Sequence, residues 1–172
     1  MALKIKTNVQ SQQEYCDKME NVNLNNLNRV NNQLHWFKEI IPSVKYNHSD
    51  ATCYTKDGRK ITVELKTRNE TIKQLQKWGG VFIEPKKISH FTDVMESGFT
   101  LNENCLFVNF CPDGVIIFSF NDLKEPLQIL PNHRQRNPKN NFEFEHETRF
   151  SLNLKDAIIY KYDIDGELYR FK

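Results

Sequence analysis

The spacing of apolar residues predicts a long amphipathic helix in the first quarter of the chain. Ser11 and Glu14 have the spacing of a capping box, which marks a helix start. Apolar residues then recur in steps of three and four, at Leu24, Leu27, Val30, Leu34, Phe37 and Ile41. Pro42 would stop this helix, and the asparagines within 21–26 mark a point where it could break.

Alternation of residue types predicts a β-hairpin after this helix. Residues 44–55 are rich in β-branched and aromatic types, 60–68 alternate apolar with polar residues, and 56–59 contain the turn signal Asp57-Gly58. In the second strand three apolar residues should face the core and three polar residues the other side: Ile61, Val63 and Leu65 against Thr62, Glu64 and Lys66.

The later elements are short. We expect, in chain order, a loop with a helical turn at 69–80, a short strand or lead-in at 81–83, a helix from Pro85 to about Gly98, and a hairpin of 105–110 with 115–120. Further on we expect strands at 127–130 and 142–152 around a basic loop at 131–141, and a last hairpin of 157–162 with 167–171.

Length and composition favour one globular domain. The chain has 172 residues, 12% of them aromatic, which argues against disorder. We divide it into a core at about 22–120 and a β-rich extension at about 121–172. No apolar run approaches the roughly 20 residues of a membrane span, and the first residues do not form a secretory signal. We therefore expect a cytoplasmic protein that does not insert into membranes.

Charge and cysteine usage exclude several classes of protein. A net charge of +2 excludes binding driven by bulk charge, but it permits nucleic acid in a local basic cleft. The cysteines at 16, 53, 105 and 111 show no CxxC spacing, so we expect reduced thiols, three of them in strands, and no zinc cage. The five histidines show no HxH or HxxxH spacing, and no phosphate-binding loop or serine-nucleophile motif is present.

One group of residues indicates a catalytic site. Ser49-Asp50 precedes Glu64-Leu65-Lys66, within the predicted order of helix, strand, strand, helix and strand. This resembles the PD-(D/E)xK nuclease superfamily, with Ser49 in place of the usual proline. The resemblance covers roughly residues 22–120. It implies a restriction-endonuclease-like α/β fold, in which a mixed central sheet is flanked by helices, here with the β-rich C-terminal extension.

The resemblance also implies the roles of the site residues. Asp50 and Glu64 would bind Mg²⁺ or Mn²⁺, with the main-chain carbonyl of Leu65 as a third ligand, because Mg²⁺ prefers oxygen ligands and keeps several waters. The metal would neutralise phosphate charge and acidify a water. Lys66 would position that water or stabilise the negative transition state.

The hairpin geometry allows this site to assemble. Asp50 and Glu64 can share a face only if the loop between the strands has an odd number of residues, three or five. Gly58 suits the left-handed position that a three-residue loop requires. On the polar face of a hairpin, however, residues such as Glu64 and Lys66 are more often plain solvated charges.

Other residues are secondary candidates. Glu84, Lys87 and His48 could join the site, although Glu84 at a helix N-terminus is equally explained by the helix dipole. Contacts to nucleic acid could come from Arg68, Lys86, His133, Arg134, Arg136 and Lys139, the last four of which could also belong to a solvated loop.

The sequence therefore predicts a Mg²⁺- or Mn²⁺-dependent nuclease that hydrolyses phosphodiester bonds, with DNA as the expected substrate. Nuclease folds of this kind often act as homodimers, although no residue pattern identifies an interface. The alternative is a catalytically inactive nuclease-fold module that binds nucleic acid or a protein partner, such as an accessory or anti-defence protein of a mobile element.

Overall fold

The computed structural model describes residues 2–44, 49–96, 104–123, 128–134 and 145–172. Three helices are described: α1 (Ala2–Leu34), α2 (Ile72–Lys77) and α3 (Pro85–Glu96). The strands are β1 (Phe37–Pro42), β2 (Ala51–Thr55), β3 (Lys60–Thr67), β4 (Val81–Ile83), β5 (Asn104–Cys111), β6 (Gly114–Ser119), β7 (Gln128–Arg134), β8 (Glu145–Leu152), β9 (Ile158–Tyr162) and β10 (Leu168–Arg170).

The strands form two sheets. The central sheet has seven strands in the order β1-β2-β3-β5-β6-β9-β10, and a second sheet has three in the order β4-β8-β7. In the central sheet β3 and β5 are parallel, and the other neighbours are antiparallel. A parallel pair needs a crossover connection, and here the chain makes it through α2, β4 and α3. The α/β class with a mixed sheet is as predicted, and the last hairpin continues this sheet.

Helices cover both faces of the central sheet, because its strands are apolar on both sides. On one face Val63 and Leu65 of β3 pack with Leu27 and Val30 of α1. On the other face the strands pack against α2, α3 and β4, with Phe91 of α3 fully buried. Glu64 and Lys66 alternate with the residues that contact α1, so they lie on the α3 side of the sheet.

The first helix begins and ends earlier in the chain than predicted. It begins at Ala2 rather than at Ser11, continues through the asparagines of 21–26, and ends at Leu34. Phe37 and Ile41, which we assigned to the helix, lie in strand β1, which pairs with β2. The residue after the helix, His35, has a left-handed φ of 52°. The side chain of Asn31 then binds both main-chain groups of Phe37, at 2.8 and 3.0 Å.

The predicted hairpin is confirmed between β2 and β3. The main-chain N–H of Thr55 donates to the carbonyl of Arg59 at 3.0 Å, which leaves a three-residue loop at 56–58. Gly58 has φ of +83°, as the loop required. The first strand is shorter than predicted, because β2 begins at Ala51; of the earlier residues, 45–48 lie outside the described ranges.

Most of the later elements are also confirmed. They include the helical turn within 69–80, the helix that begins at Pro85, the hairpin of β5 with β6 and the last hairpin. The predicted end of α3 at Gly98 lies outside the described residues. Cys53, Cys105 and Cys111 are buried in strands, and Cys16 is an exposed free thiol. Within the described residues, no helix combines the length and apolarity that crossing a membrane requires.

The prediction of a basic loop at 131–141 was wrong for its first four residues. Residues 131–134 extend β7 and pair with β8. Pro131 has no N–H to donate, but β7 lies at an edge of its sheet, where proline is tolerated. Residues 135–141 lie outside the described ranges.

Candidate functional site

Asp50 and Glu64 meet where β2 begins. The register of the hairpin pairs Ala51 with Val63, and extending it by one residue pairs Asp50 with Glu64. The main-chain N–H of Asp50 still donates to the carbonyl of Val63, at 3.0 Å. Besides burial, the negative charge of Asp50 raises the pKa of Glu64. The structure therefore brings together the two carboxylates that the motif named.

Asp50 closes an open edge of β3. Because β2 begins at Ala51, the residues of β3 beyond Val63 have no strand partner on that side. Oδ2 of Asp50 accepts a hydrogen bond from the main-chain N–H of Leu65 at 2.7 Å. Burial nevertheless raises the pKa of Asp50 above its ordinary value, against the opposing effects of that hydrogen bond and of the Lys87 and Lys66 charges. The carboxylate is thus held in place and poorly solvated.

Glu64 is the most perturbed acid at this site. Its side chain is only 12% exposed, and its Oε2 lies 2.8 Å from Nζ of Lys87. Burial, reinforced by the negative charge of Asp50, raises the pKa of Glu64 to about 7, although Lys87 opposes the shift. At neutral pH the protein therefore holds this carboxyl close to the midpoint of its titration.

Two lysines interact with this pair of acids in different ways. Lys66 lies on β3 with an exposed side chain, and its charge acts on Asp50 and Glu84. Lys87 lies on α3, is 19% exposed, and forms the ion pair with Glu64. Lys87, which we ranked second, therefore makes the direct contact, while Lys66 remains open to solvent beside it.

Glu84 belongs to the surroundings of the site. It immediately precedes α3, and its carboxylate lies 3.0 Å from Nζ of Lys86, with both side chains more than half exposed. Burial raises the pKa of Glu84, but the hydrogen bond and charge of Lys86, with Lys66 and Lys87, bring it below its ordinary value. The charge of Glu84 in turn contributes to the raised pKa of Glu64.

Asn23 is a residue of this region that the sequence interpretation missed. Its side chain continues the edge of β3 past Asp50: Nδ2 donates to the carbonyl of Leu65 at 3.3 Å, and Oδ1 accepts from the N–H of Thr67 at 3.0 Å. The carbonyl that we named as a metal ligand is therefore hydrogen-bonded to α1. The signal was present, because Asn23 lies four residues before Leu27 on the apolar stripe, where a polar residue needs a partner.

Arg68 connects the two sheets. Its Nε donates to Oδ1 of Asn109 at 2.9 Å, and its Nη2 donates to the carbonyl of Phe82 at 3.0 Å. Its guanidinium also lies over the ring of Phe107, 5.9 Å from the ring centre. Asn109, which we also missed, is completely buried beside Lys66 in the register of β5 with β3. These contacts give Arg68 a structural role.

The remaining candidates are only partly described. His133 and Arg134 lie in β7, which belongs to the second sheet and not to the sheet that contains β2 and β3. His48, Arg136 and Lys139 lie outside the described residues. The contacts of this group with nucleic acid remain predictions.

The two carboxylates fit the requirements of a hard divalent cation. Mg²⁺ is bound in proteins by one or two carboxylates and keeps several waters. Asp50 and Glu64 supply oxygen ligands that repel each other and are poorly solvated, so a cation between them would lower their free energy. Across the described part of the chain, no set of three or more His, Cys, Asp or Glu side chains is arranged to hold a metal ion. A metal here would have two acidic side chains as ligands and water for the rest.

Comparisons with protein-family models, with curated proteins and with solved structures found no match for this chain.

Proposed function

We propose that this protein is a metal-dependent nuclease that hydrolyses phosphodiester bonds in DNA. The observation that carries the proposal is the convergence of Asp50 and Glu64 on one point of the β2–β3 hairpin, with Lys66 and Lys87 beside them. Burial raises the pKa of both acids, and the negative charge of Asp50 adds to the shift of Glu64. Perturbed groups of this kind cluster at functional sites.

The arrangement of elements supports a restriction-endonuclease-like fold of the PD-(D/E)xK type. Helix α1 precedes the antiparallel strands β2 and β3, which carry the acid and the acid-x-Lys triplet. Helix α3 then precedes β5, which runs parallel to β3, and helices lie on both faces of the mixed sheet. Strand β1, an addition to the predicted order, extends the sheet beyond β2.

Each residue has a defined task in this proposal. Asp50 and Glu64 hold Mg²⁺ or Mn²⁺, which when bound supplies charge neutralisation on the phosphate and an acidified water. The Leu65 N–H orients the Asp50 carboxylate, at 2.7 Å. Lys66, exposed next to the acids, places a positive charge where the phosphate gains negative charge during the reaction. Lys87 neutralises Glu64 in the metal-free protein, and a bound cation would take over that role.

The direct test is an incubation with plasmid, linear duplex DNA, single-stranded DNA and RNA, each with Mg²⁺, with Mn²⁺ and with EDTA. We expect metal-dependent cleavage of DNA that Asp50→Asn or Lys66→Ala reduces at least 100-fold, since each loses about 3 kcal/mol of transition-state stabilisation. Asp93→Asn and Lys56→Ala, which change exposed residues of the same types elsewhere, should retain wild-type activity. Cleavage that persists in EDTA or in Asp50→Asn would contradict the mechanism.

One observation favours a second candidate, a catalytically inactive nuclease-fold module that binds nucleic acid or a protein partner. Lys87 already neutralises Glu64 at 2.8 Å, as a lysine would if it had replaced the metal permanently. Titration calorimetry with Mn²⁺ separates the two candidates. A nuclease should bind Mn²⁺ and lose affinity in Asp50→Ala, whereas a module of the second kind should bind DNA in EDTA and show no Mn²⁺ binding that depends on Asp50.

A further inference from the structure

A cavity of about 580 Å³ lies on the same side of the central sheet as α2, away from Asp50 and Glu64. Its walls come from α2, from the turn at Leu154–Asp156, and from β9 and the residues after β10. Small-molecule sites in proteins typically occupy about 300–1,000 Å³, so the cavity has the size of an organic ligand rather than of a single ion.

The charged side chains that line the cavity are all of one sign. Four lysines line it, Lys73, Lys155, Lys161 and Lys172, and no Asp or Glu side chain does. Within the described residues, none of these four ammonium groups forms an ion pair with a carboxylate side chain. Four ammonium groups around one concave surface, none of them paired with a carboxylate side chain, attract a ligand with several negative charges.

The walls are built from helix α2, strand β9 and a turn, so the main-chain positions of the four lysines are fixed before a ligand arrives. Helix α2 is anchored by the N–H of Ile72, which donates to Asp113 Oδ1 at 2.8 Å. At its other end Gly80 packs so tightly that a Cβ would lie 2.1 Å from the carbonyl of Leu152. Nζ of Lys172 donates to the carbonyl of Leu154 at 2.9 Å, which fixes this ammonium group at the wall.

The cavity also has one aromatic wall. Phe171 is 56% exposed, and Nζ of Lys161 lies 3.6 Å from the centre of its ring. A ring with two faces can bind this ammonium on one side and a flat aromatic group on the other, and stacking on aromatic side chains is how proteins hold nucleobases.

We propose that this cavity binds a nucleoside polyphosphate, whose phosphates contact the lysines and whose base stacks on Phe171. The site is separate from the acidic pair. Strand β9 lies three positions from β3 in the sheet order, which corresponds to roughly 14 Å at the usual strand spacing. The proposal therefore does not depend on the nuclease activity, and either can fail without the other.

The test is calorimetric titration of the full chain at low salt and in EDTA, with ADP, ATP, pyrophosphate and a single-stranded oligonucleotide as separate probes. Lys73→Ala with Lys155→Ala removes two exposed lysines of the cavity. Lys77→Ala with Lys38→Ala removes two exposed lysines elsewhere and changes the net charge equally. We expect the first double variant to weaken ADP and ATP binding at least tenfold and the second to change it less than twofold.

The other probes identify the ligand. ADP should bind more tightly than pyrophosphate, and Phe171→Leu should remove that difference. Binding of ADP that is unchanged by the first double variant, or no binding of ADP and ATP at millimolar concentration, would overturn the proposal. Binding of the oligonucleotide alone would also overturn it and would assign these lysines to a nucleic-acid path.

Discussion

Nζ of Lys87 lies 2.8 Å from Oε2 of Glu64, and this ion pair joins helix α3 to strand β3. Both side chains are largely buried, at 19% and 12% exposure, so the pair is poorly screened by solvent. The ammonium lies where it neutralises one of two adjacent carboxylates. A divalent cation held by these carboxylates would therefore compete with an internal positive charge.

Replacing Lys87 by methionine should destabilise the metal-free protein and strengthen metal binding. Loss of one partner of a buried ion pair leaves the other charge uncompensated, but Glu64 can become protonated and so reduce the penalty. We expect the free energy of unfolding to fall by about 2 kcal/mol, which lowers the melting temperature by roughly 4–8 °C. Because the competing ammonium is gone, the affinity for Mn²⁺ should rise at least tenfold in calorimetry. Lys86→Met, at a lysine that is 71% exposed, should change both quantities little. Weaker Mn²⁺ binding in Lys87→Met would show that Lys87 supports the metal instead of competing with it.

The stability of the metal-free protein should fall as pH rises from about 4.5 to 7. The pKa of Glu64 is about 7 in the folded protein against an ordinary value of 4.5, so in this window the folded state binds a proton that the unfolded state does not. Stability decreases with pH wherever the folded state binds more protons, here by up to about 3 kcal/mol. Denaturant unfolding at pH 5.5, 7.0 and 8.5 measures this slope. Glu64→Gln should reduce the slope and be more stable than wild type at pH 8.5, while Glu39→Gln, an exposed control, should retain it.

Manganese should raise the melting temperature of the wild-type protein. At 100 times its dissociation constant a ligand adds about 2.7 kcal/mol, which corresponds to roughly 5–10 °C for a domain of this size. Because a metal would bind the ionised form of the carboxylates, its affinity should increase as pH rises toward and past the pKa of Glu64, about 7. The thermal shift should disappear in Glu64→Gln and persist in Glu39→Gln. A wild-type protein whose melting temperature does not respond to millimolar Mn²⁺ would make Glu64 a structural charge.

Removing the side chain of Asn23 should weaken the edge of β3. Asn23→Ala leaves the Leu65 carbonyl and the Thr67 N–H without their partner, and unpaired buried groups cost about 1–3 kcal/mol each before rearrangement. We expect a net loss of about 2 kcal/mol in urea unfolding. Asn25→Ala, at an exposed position of the same helix, has the same effect on helix propensity and should be neutral or slightly stabilising. Equal stability of the two variants would mean that the Asn23 contacts contribute nothing net.

Local patterns were sufficient for the elements whose structure depends on neighbouring residues. Gly58 and an odd loop length determined the register of β2 with β3, because a short turn leaves few ways to pair the strands. Alternation along β3 assigned Val63 to one face and Glu64 to the other, since successive side chains of a strand point in opposite directions. The proximity of Asp50 to Glu64 follows from these two local facts.

Contacts between distant parts of the chain determined the features that local patterns did not predict. Phe37 and Ile41 continue a helical spacing, yet they form β1, because pairing with β2 and the left-handed His35 outweigh a pattern that fits both structures. The choice of Lys87 rather than Lys66 as the partner of Glu64 depends on where α3 packs, and the contact of Asn23 with β3 depends on where α1 packs. Residue spacing along the sequence carries no information about such distances. These distances are determined by how the buried faces of the helices pack on the sheet. Only the tertiary structure contains this information.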